Sequence, residues 1–150
     1  MLLRRHSTAR QRTSLQQSLF RKVRQDFIMA TTSPQSVVQA QLDAYNAKDI
    51  ERLLLTYAPD AEQYVLHGER LAQGRDEMRA RFLLRFAEPN LHARLLSRSV
   101  TGNVVVDIES ITRDFPEGTG TLELLCIYEV GDGLIRKASF VNGEKVIAAK

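Results

Sequence analysis

Proton transfer is the chemistry that the most informative side chains of this 150-residue chain suggest. Asp107 and Glu109 stand two positions apart in the segment VVVDIESIT, so they share one face of a predicted strand. Paired carboxyl groups can act as acid and base when their surroundings separate their pKa values. Histidine is the residue type most often used to transfer protons in enzymes, and His67 is a candidate for that role. The sequence therefore indicates His67 and Glu109 as candidate catalytic residues.

The face on which the two acids lie depends on how their strand is turned. The residues of the opposite face are Val104, Val106 and Ile108. Because an apolar set normally faces the core, this alternation predicts that Asp107 and Glu109 lie on the outer face, toward solvent or a partner subunit. If the strand is turned the other way, both acids enter the interior and become the leading candidates.

His67 has two interpretations. It shares strand parity with Val65, so it reaches the rim of any pocket that Val65 lines. Alternatively, it is a surface histidine at the start of the loop that Gly68 opens, which is the commoner role of a lone histidine.

A later predicted strand, residues 121–130, offers two more polar groups. Cys126 and Tyr128 alternate with Leu125 and Ile127, so the two pairs lie on opposite faces. Tyr128, on the inner face, is either a ligand-binding hydroxyl or a core aromatic residue. Cys126 is the single cysteine and has no evident cationic neighbour, so we expect a small buried apolar residue. The outer apolar pair predicts a homodimer through that face, or contact with the N-terminal segment.

Composition excludes several classes of function. The sequence has no apolar run of about 18 residues, so no membrane span is expected. One cysteine and three scattered histidines lack zinc-ligand spacing, and no glycine-rich phosphate loop occurs, so neither metal nor cofactor is expected. Residues 1–28 hold seven Lys or Arg against one acid, whereas residues 29–150 hold 14 basic and 17 acidic side chains. The basic charge belongs to the N-terminal segment, and no nucleic-acid partner is expected.

The N-terminal segment, residues 1–28, has three interpretations. The apolar residues that recur every four positions are Leu15, Leu19, Val23 and Phe27. A basic amphipathic helix of this kind suits a transit peptide, a membrane surface or a partner. The third interpretation is a disordered or untranslated extension, since Met29 heads a plausible start. We expect a disordered extension over residues 1–32 and a domain over 33–150, in a cytoplasmic protein unless the segment directs it to an organelle.

The domain itself is predicted as three helices followed by strands. Ser33 precedes a proline at a helix start, Asp49 caps a second helix that runs to Tyr57, and a third helix runs from Asp76 to Ala87. The predicted strands are residues 61–67, 91–101, 103–113, 121–130 and 134–147, and residues 68–74 are predicted as a loop. This order indicates an α+β layout with a curved antiparallel sheet around three helices and a cavity between them.

Four arginines lie on the predicted third helix. They are Arg75, Arg79, Arg81 and Arg85. Their i,i+4 pairs are typical of a solvated helix face, and anion binding is the alternative.

Four segments of this layout resemble the SnoaL-like branch of the nuclear transport factor 2-like superfamily. They are AYNAKDIERLLLTYAPDA (44–61), GRDEMRARF (74–82), GNVVVDIES (102–110) and CIYEVGDGLIRKASF (126–140). The resemblance covers roughly residues 34–147 and implies a cystatin-like conical α+β barrel with an apolar pocket, often dimeric through the outer sheet face. The superfamily includes ketosteroid isomerases, polyketide cyclases and limonene epoxide hydrolases, because one fold hosts many functions.

The resemblance also implies where a ketosteroid isomerase site would lie. The general-base carboxylate falls on Val65, the oxyanion-binding tyrosine on Gln41 and the neighbouring acid on Cys126. Valine cannot accept a proton, and an amide or a thiol is a weaker donor than an acidic phenol or a carboxyl group. We therefore expect these three positions, together with Tyr128, to bind a ligand rather than to react with it.

Three functions remain compatible with these residues. The first is binding of a small hydrophobic molecule without the isomerase groups. The second is an isomerase, cyclase or hydratase that uses His67 with a carboxylate or with Tyr128. The third is a non-catalytic dimerisation module. A cavity lined only by carbon favours the first, a carboxylate and His67 converging on one cavity favour the second, and a cavity filled by side chains favours the third.

Overall fold

The computed structural model describes residues 13–24 and 32–149. The chain divides into two compact units, Met1–Ser33 and Pro34–Lys150.

The first unit includes one described helix, α1, over residues 13–24. Three residues of the four-residue repeat, Leu15, Leu19 and Val23, lie on this helix and are exposed. Phe27 and most of the predicted extension lie outside the described residues. The disordered and transit-peptide interpretations therefore stay predictions.

The described part of the second unit contains three helices and one six-stranded sheet. The helices are α2 (Pro34–Asn46), α3 (Ile50–Leu55) and α4 (Gly74–Phe86). The strands are β1 (Tyr57–Val65), β2 (Arg70–Gln73), β3 (His92–Thr101), β4 (Val104–Phe115), β5 (Gly118–Gly131) and β6 (Leu134–Ile147). Their order in the sheet is β2-β1-β6-β5-β4-β3. This architecture confirms the predicted α+β fold class.

The sheet is an antiparallel meander of β3 to β6 extended by β1 and β2. Strand β1 pairs in parallel with β6 and antiparallel with β2, so the sheet contains one parallel pair. The register shifts between Leu95 and Ser97 in β3 and between Leu122 and Leu124 in β5. Such irregularities bend strands and increase their twist, which curves the sheet over the helices.

The helix starts follow from their capping residues. Proline at the first position opens α2, where a missing N–H costs nothing. The Asp49 carboxylate accepts a hydrogen bond from the Arg52 backbone N–H (3.1 Å), which confirms the predicted cap of α3. At the start of α4, the Glu77 carboxylate accepts from the Gln73 N–H (2.8 Å). The acidic side chain also suits the positive end of the helix.

Two local predictions were wrong, and in both cases a strand replaced the predicted element. Tyr57 begins β1 instead of ending α3, because Thr56 caps that helix by donating its hydroxyl hydrogen to the Leu53 carbonyl (2.6 Å). The stretch predicted as a loop contains β2, whose Ala72 pairs with Gln63 of β1. Pairing with a neighbouring strand supplies hydrogen bonds that local composition does not reveal.

The core lies between the concave face of the sheet and the helices. Its largest fully buried side chains include Leu53, Tyr57, Met78 and Ile135. Phe82 of α4 packs edge-on against Tyr45 of α2, with ring centroids 6.2 Å apart. Burial of a large apolar side chain stabilises the fold by roughly 1.5–3 kcal/mol. These contacts hold α2 and α4 in place as two walls of an interior cavity.

Candidate functional site

A cavity of about 810 Å³ lies within the second unit. Residues of α2, α4, β1, β4, β5 and β6 line it. Its volume suits a small organic ligand, and the surrounding side chains do not fill it.

Both acids of β4 face this interior, so the predicted outward orientation was wrong. Asp107 is 0% exposed and Glu109 is 4% exposed, and Glu109 lines the cavity. Across the β4–β5 ladder, Asp107 lies opposite Cys126 and Val105 lies opposite Tyr128. Cross-strand partners share a face of the sheet, so the inward acids accompany the inward Cys126 and Tyr128.

An ion pair explains how Asp107 is tolerated in the core. On the neighbouring strand β3, Arg98 donates from Nε to Asp107 Oδ1 (2.7 Å) and from Nη2 to Oδ2 (2.8 Å). The remaining Nη1 donates to Gln39 Oε1 of α2 (2.8 Å). The hydrogen bond to Asp107 raises the pKa of Arg98 above its ordinary value. A buried charge is tolerated when it is paired and hydrogen-bonded, and this bidentate arrangement meets that condition.

Glu109 lacks such a partner. No lysine or arginine forms an ion pair with it anywhere in residues 13–24 or 32–149. Burial and then the negative charge of Asp107 raise its pKa from 4.5 to about 7, while Arg98 and a hydrogen bond with Cys126 partly offset this rise. A carboxyl group with a pKa near neutrality can both accept and donate a proton under physiological conditions.

The four predicted ligand-binding residues, Gln41, Val65, Cys126 and Tyr128, all line the cavity. The Tyr128 hydroxyl donates to Gln41 Oε1 at the long distance of 3.5 Å. Burial raises the pKa of the Cys126 thiol well above its ordinary value, so the thiol stays neutral. Val65 is 40% exposed at the end of β1. The cavity thus has a buried polar wall and a partly exposed apolar edge.

His67 lies outside the cavity lining, in an exposed turn. Strand β1 ends at Val65, and the turn is closed by the Gly68 N–H, which donates to the Val65 carbonyl (2.8 Å). His67 itself has a left-handed φ of 55°. Because the strand ends first, its alternation does not carry His67 to the cavity. His67 and Glu109 do not converge.

The sequence did not predict that two further polar residues of the cavity wall, Gln63 and Arg81, contact each other. Gln63 of β1 donates from Nε2 to Tyr57 Oη (3.4 Å) and accepts at Oε1 from Arg81 Nη1 of α4 (2.6 Å). Both Gln63 and Arg81 line the cavity. The shared strand parity of Gln63 and Val65 was the available signal, but parity alone does not identify the partner on α4.

Comparison with protein families identifies the domain. The family model of the SnoaL-like domain matches residues 38–138 of the sequence, which include most of the residues that line the cavity. The chain belongs to the SnoaL-like domain family. No curated protein matches the sequence.

Solved structures share the fold of this SnoaL-like protein at low sequence identity. An uncharacterised cystatin-fold protein from Novosphingobium aromaticivorans has a TM-score of 0.68 and 22% identity, covering 73% of this chain and 97% of its own. A proposed ketosteroid isomerase from Kribbella flavida has a TM-score of 0.64 and 16% identity, covering 78% and 82%. A proposed polyketide cyclase from Sinorhizobium meliloti has a TM-score of 0.60 and 24% identity, covering 71% and 94%. At these identities the likeness establishes the fold.

In the described ranges, no group of three or more His, Cys, Asp or Glu side chains is arranged to hold a metal ion. Among the same residues, no helix has the length and apolar character needed to cross a membrane.

Proposed function

We propose that this SnoaL-like protein is an enzyme that binds a small, largely apolar organic molecule in its cavity and moves a proton on it through Glu109. The observation that carries the proposal is a buried carboxyl group on the cavity wall with a pKa raised to about 7. Ligand binding without a proton-handling group loses support, because the cavity is not lined only by carbon. A pure dimerisation module loses support as well, because the cavity is not filled by side chains.

The reaction class follows from what a neutral-pH carboxylate can do. The ionised Glu109 accepts a proton from a C–H bond next to a carbonyl group, and the C–H electron pair moves toward the carbonyl oxygen to give an enolate. If the substrate has a double bond between its β and γ carbons, the enolate is conjugated with it, and the Glu109 carboxylic acid returns the proton to the γ carbon while the double bond moves into conjugation with the carbonyl group, so this isomerisation needs no further reactant. The names of the proposed ketosteroid isomerase and polyketide cyclase among the similar structures agree with this class of chemistry.

Gln41 is the proposed donor to the developing oxyanion. Its Oε1 accepts from Tyr128, and no hydrogen bond in the described part of the chain uses its Nε2. Because Gln41 lines the cavity, we propose that this amide nitrogen faces the ligand. An N–H group placed in this way stabilises negative charge that develops in a water-poor site. Tyr128 orients the amide by occupying its oxygen.

Base catalysis by Glu109 is tested with 5-nitrobenzisoxazole, a neutral carbon acid. A base removes the proton from the ring carbon, the electron pair forms a nitrile, and the N–O bond breaks to give a coloured phenolate. Replacing Glu109 by Gln is expected to lower kcat/KM by on the order of 100-fold. The rate of the unmodified protein is expected to rise with pH around a midpoint of about 7, since the carboxylate is the active form.

The control for this experiment is Glu51→Gln, which changes an exposed acid of α3 outside the cavity lining. We expect the control to keep the rate and pH profile of the unmodified protein. Equal rates for Glu109→Gln and the unmodified protein would refute Glu109 as the base.

We further propose that the protein forms a homodimer through the outer face of the sheet. Leu125 and Ile127 are half-buried there, as their alternation with Cys126 predicts. Across the ladder they lie opposite Ile108 and Val106, which extends the apolar surface onto β4. A contiguous apolar patch on a sheet face is a common site of subunit contact. A cytoplasmic location stays a prediction.

A further inference from the structure

The four arginines of α4 differ in their partners. Arg75 donates to the Tyr57 carbonyl from Nε (3.2 Å) and Nη2 (2.6 Å), Arg79 pairs with Glu51, and Arg85 pairs with Glu88 (2.9 Å). Arg75 and Arg81 both have neutral described partners, but of these two only Arg81, which donates to the Gln63 amide, lines the cavity. Arg85 lines the cavity too but is paired with Glu88, so Arg81 is the cavity-lining arginine of α4 that has no carboxylate partner among the described residues.

The charge of Arg81 has no opposite partner in the part of the chain that the structure describes. Arg81 is only partly exposed, and in the described residues no carboxylate forms an ion pair with it. Burial lowers its pKa, and the positive charge of Arg85 lowers it further. A guanidinium has five N–H donors, of which the described hydrogen bond uses one. The remaining donors suit a bidentate contact with an oxyanion.

Gln63 holds Arg81 in this position. The Gln63 side chain is 1% exposed, and both ends of its amide are occupied. Tyr57 Oη accepts from its nitrogen, so its oxygen is directed to Arg81. An anchored guanidinium loses less conformational entropy on binding a ligand than a free one.

The other charges along the cavity do not replace this site. Arg113 and Arg85 share one carboxylate, Glu88, at 2.9 Å each. Glu69 also lines the cavity but is exposed. Leucine and phenylalanine side chains supply much of the remaining wall, including Leu42, Phe82, Leu124 and Phe140. The cavity therefore combines an apolar body with an anchored guanidinium, that of Arg81, which has no carboxylate partner among the described residues.

We propose that the ligand of this cavity is an apolar carboxylic acid whose carboxylate binds Arg81. The inference rests on the proposed function, because it uses the same cavity and names the class of molecule on which Glu109 acts. One guanidinium matches the single charge and planar, two-oxygen shape of a carboxylate. The apolar walls then bury the carbon skeleton.

The proposal is tested by calorimetric titration at one fixed pH with two probes of the same shape, 2-naphthoate and neutral 2-naphthamide. The unmodified protein is expected to bind the naphthoate at least about tenfold more tightly, since hydrogen bonds to charged groups contribute about 1.5–3 kcal/mol. Arg81→Gln is expected to bring the two dissociation constants within about twofold of each other, because it removes that charge.

Two further variants separate an anion site from a general loss of structure. Gln63→Glu keeps the size of the side chain but gives Arg81 a carboxylate, so the preference for naphthoate is expected to disappear while naphthamide still binds. Arg79→Gln, on the same helix but paired with Glu51, is expected to keep the full preference. Binding of naphthamide to the Arg81 variant checks that its cavity is intact.

Each outcome bears on one claim. A naphthoate preference that survives Arg81→Gln, or equal or undetectable binding of both probes to the unmodified protein, overturns the carboxylate site. The benzisoxazole assay uses a neutral substrate and reads proton transfer alone. If the protein prefers naphthoate but does not convert the benzisoxazole, the Arg81 site stands and Glu109 is not the base. If it converts the benzisoxazole but does not prefer naphthoate, Glu109 stands as the base and the Arg81 site is overturned.

Discussion

The two faces of β4 depart from the usual pattern of a half-buried strand. The interior face carries Asp107 and Glu109 between the apolar Val105 and Ile111, whereas the outer face carries Val106 and Ile108. Antiparallel strands with one solvated face normally place apolar residues inside and polar residues outside. This departure is explained if each face of the strand has its own contact. The interior face borders the cavity, and we propose that the outer face contacts a second subunit.

The two buried acids also differ from each other. Asp107 is held by a bidentate arginine and belongs to the framework, whereas Glu109 faces the cavity without a cationic partner. Asp107 therefore has a structural role, whereas Glu109 has the proposed chemical role. The three predictions below test the two faces and this division, starting with the largest effect.

Asp107→Ala is expected to destabilise the protein by about 3–5 kcal/mol, because it leaves the Arg98 guanidinium buried without its carboxylate. The free energy of unfolding in denaturant measures the loss. Adding Arg98→Met to this variant is expected to recover part of the stability, since it removes the unpaired charge. Glu51→Gln, in an exposed ion pair, serves as the control and should leave the denaturation midpoint unchanged. A loss below about 1 kcal/mol for Asp107→Ala would contradict a structural role for the pair.

Glu109 is expected to make stability fall as the pH rises. Its pKa in the folded protein, about 7, exceeds the ordinary 4.5, so its contribution is fully present below about pH 4.5 and is lost as the pH rises through about 7. Relative to the unmodified protein, Glu109→Gln should therefore gain roughly 2–3 kcal/mol between about pH 5 and pH 8. Urea denaturation of both proteins across this range measures the difference. A difference that does not vary with pH would show that Glu109 titrates as it does in the unfolded chain.

Ile127→Ser tests the outer face and has the smallest expected effect. If β5 packs against a second subunit, this change should weaken the dimer at least about tenfold, or about 1.4 kcal/mol, by removing apolar contact area. Sedimentation over a range of concentrations gives the dissociation constant. Asp132→Asn, in the exposed β5–β6 turn, is the matched control. An unmodified protein that stays monomeric at every concentration would leave the outer apolar face without this explanation.

Element order was predictable because its signals are local. Asp49 capped α3 as expected, and the four strands after α4 lie close to their predicted bounds. Cys126 and Tyr128 reached the cavity wall because strand periodicity fixed their face, and Gln41, which the family resemblance indicated, lines the cavity as well. The β2 strand was missed because four residues carry little pattern, and its hydrogen bonds come from β1.

The orientation of the acids could not be settled in the same way. Alternation in VVVDIESIT defines two sets of residues but does not say which set faces inward. Apolar character selected the wrong set, because Arg98, nine positions earlier in the chain, compensates the charge of Asp107. Of the two interpretations of His67, the surface histidine beside Gly68 agrees with its exposed turn, since β1 ends two residues before it and does not carry it to the cavity.

By itself, the sequence determined the α+β fold, the SnoaL-like family and the departure from the ketosteroid isomerase residues at Gln41, Val65 and Cys126. The fold follows from periodicity and capping, whereas the family and the three departures follow from the resemblance of four short segments to known relatives. Tertiary structure alone decided that Glu109 faces the cavity and that Arg81 joins it there through Gln63. The physical reason is that burial and charge compensation depend on neighbours from distant strands and helices, and those neighbours set both the direction of a side chain and its pKa.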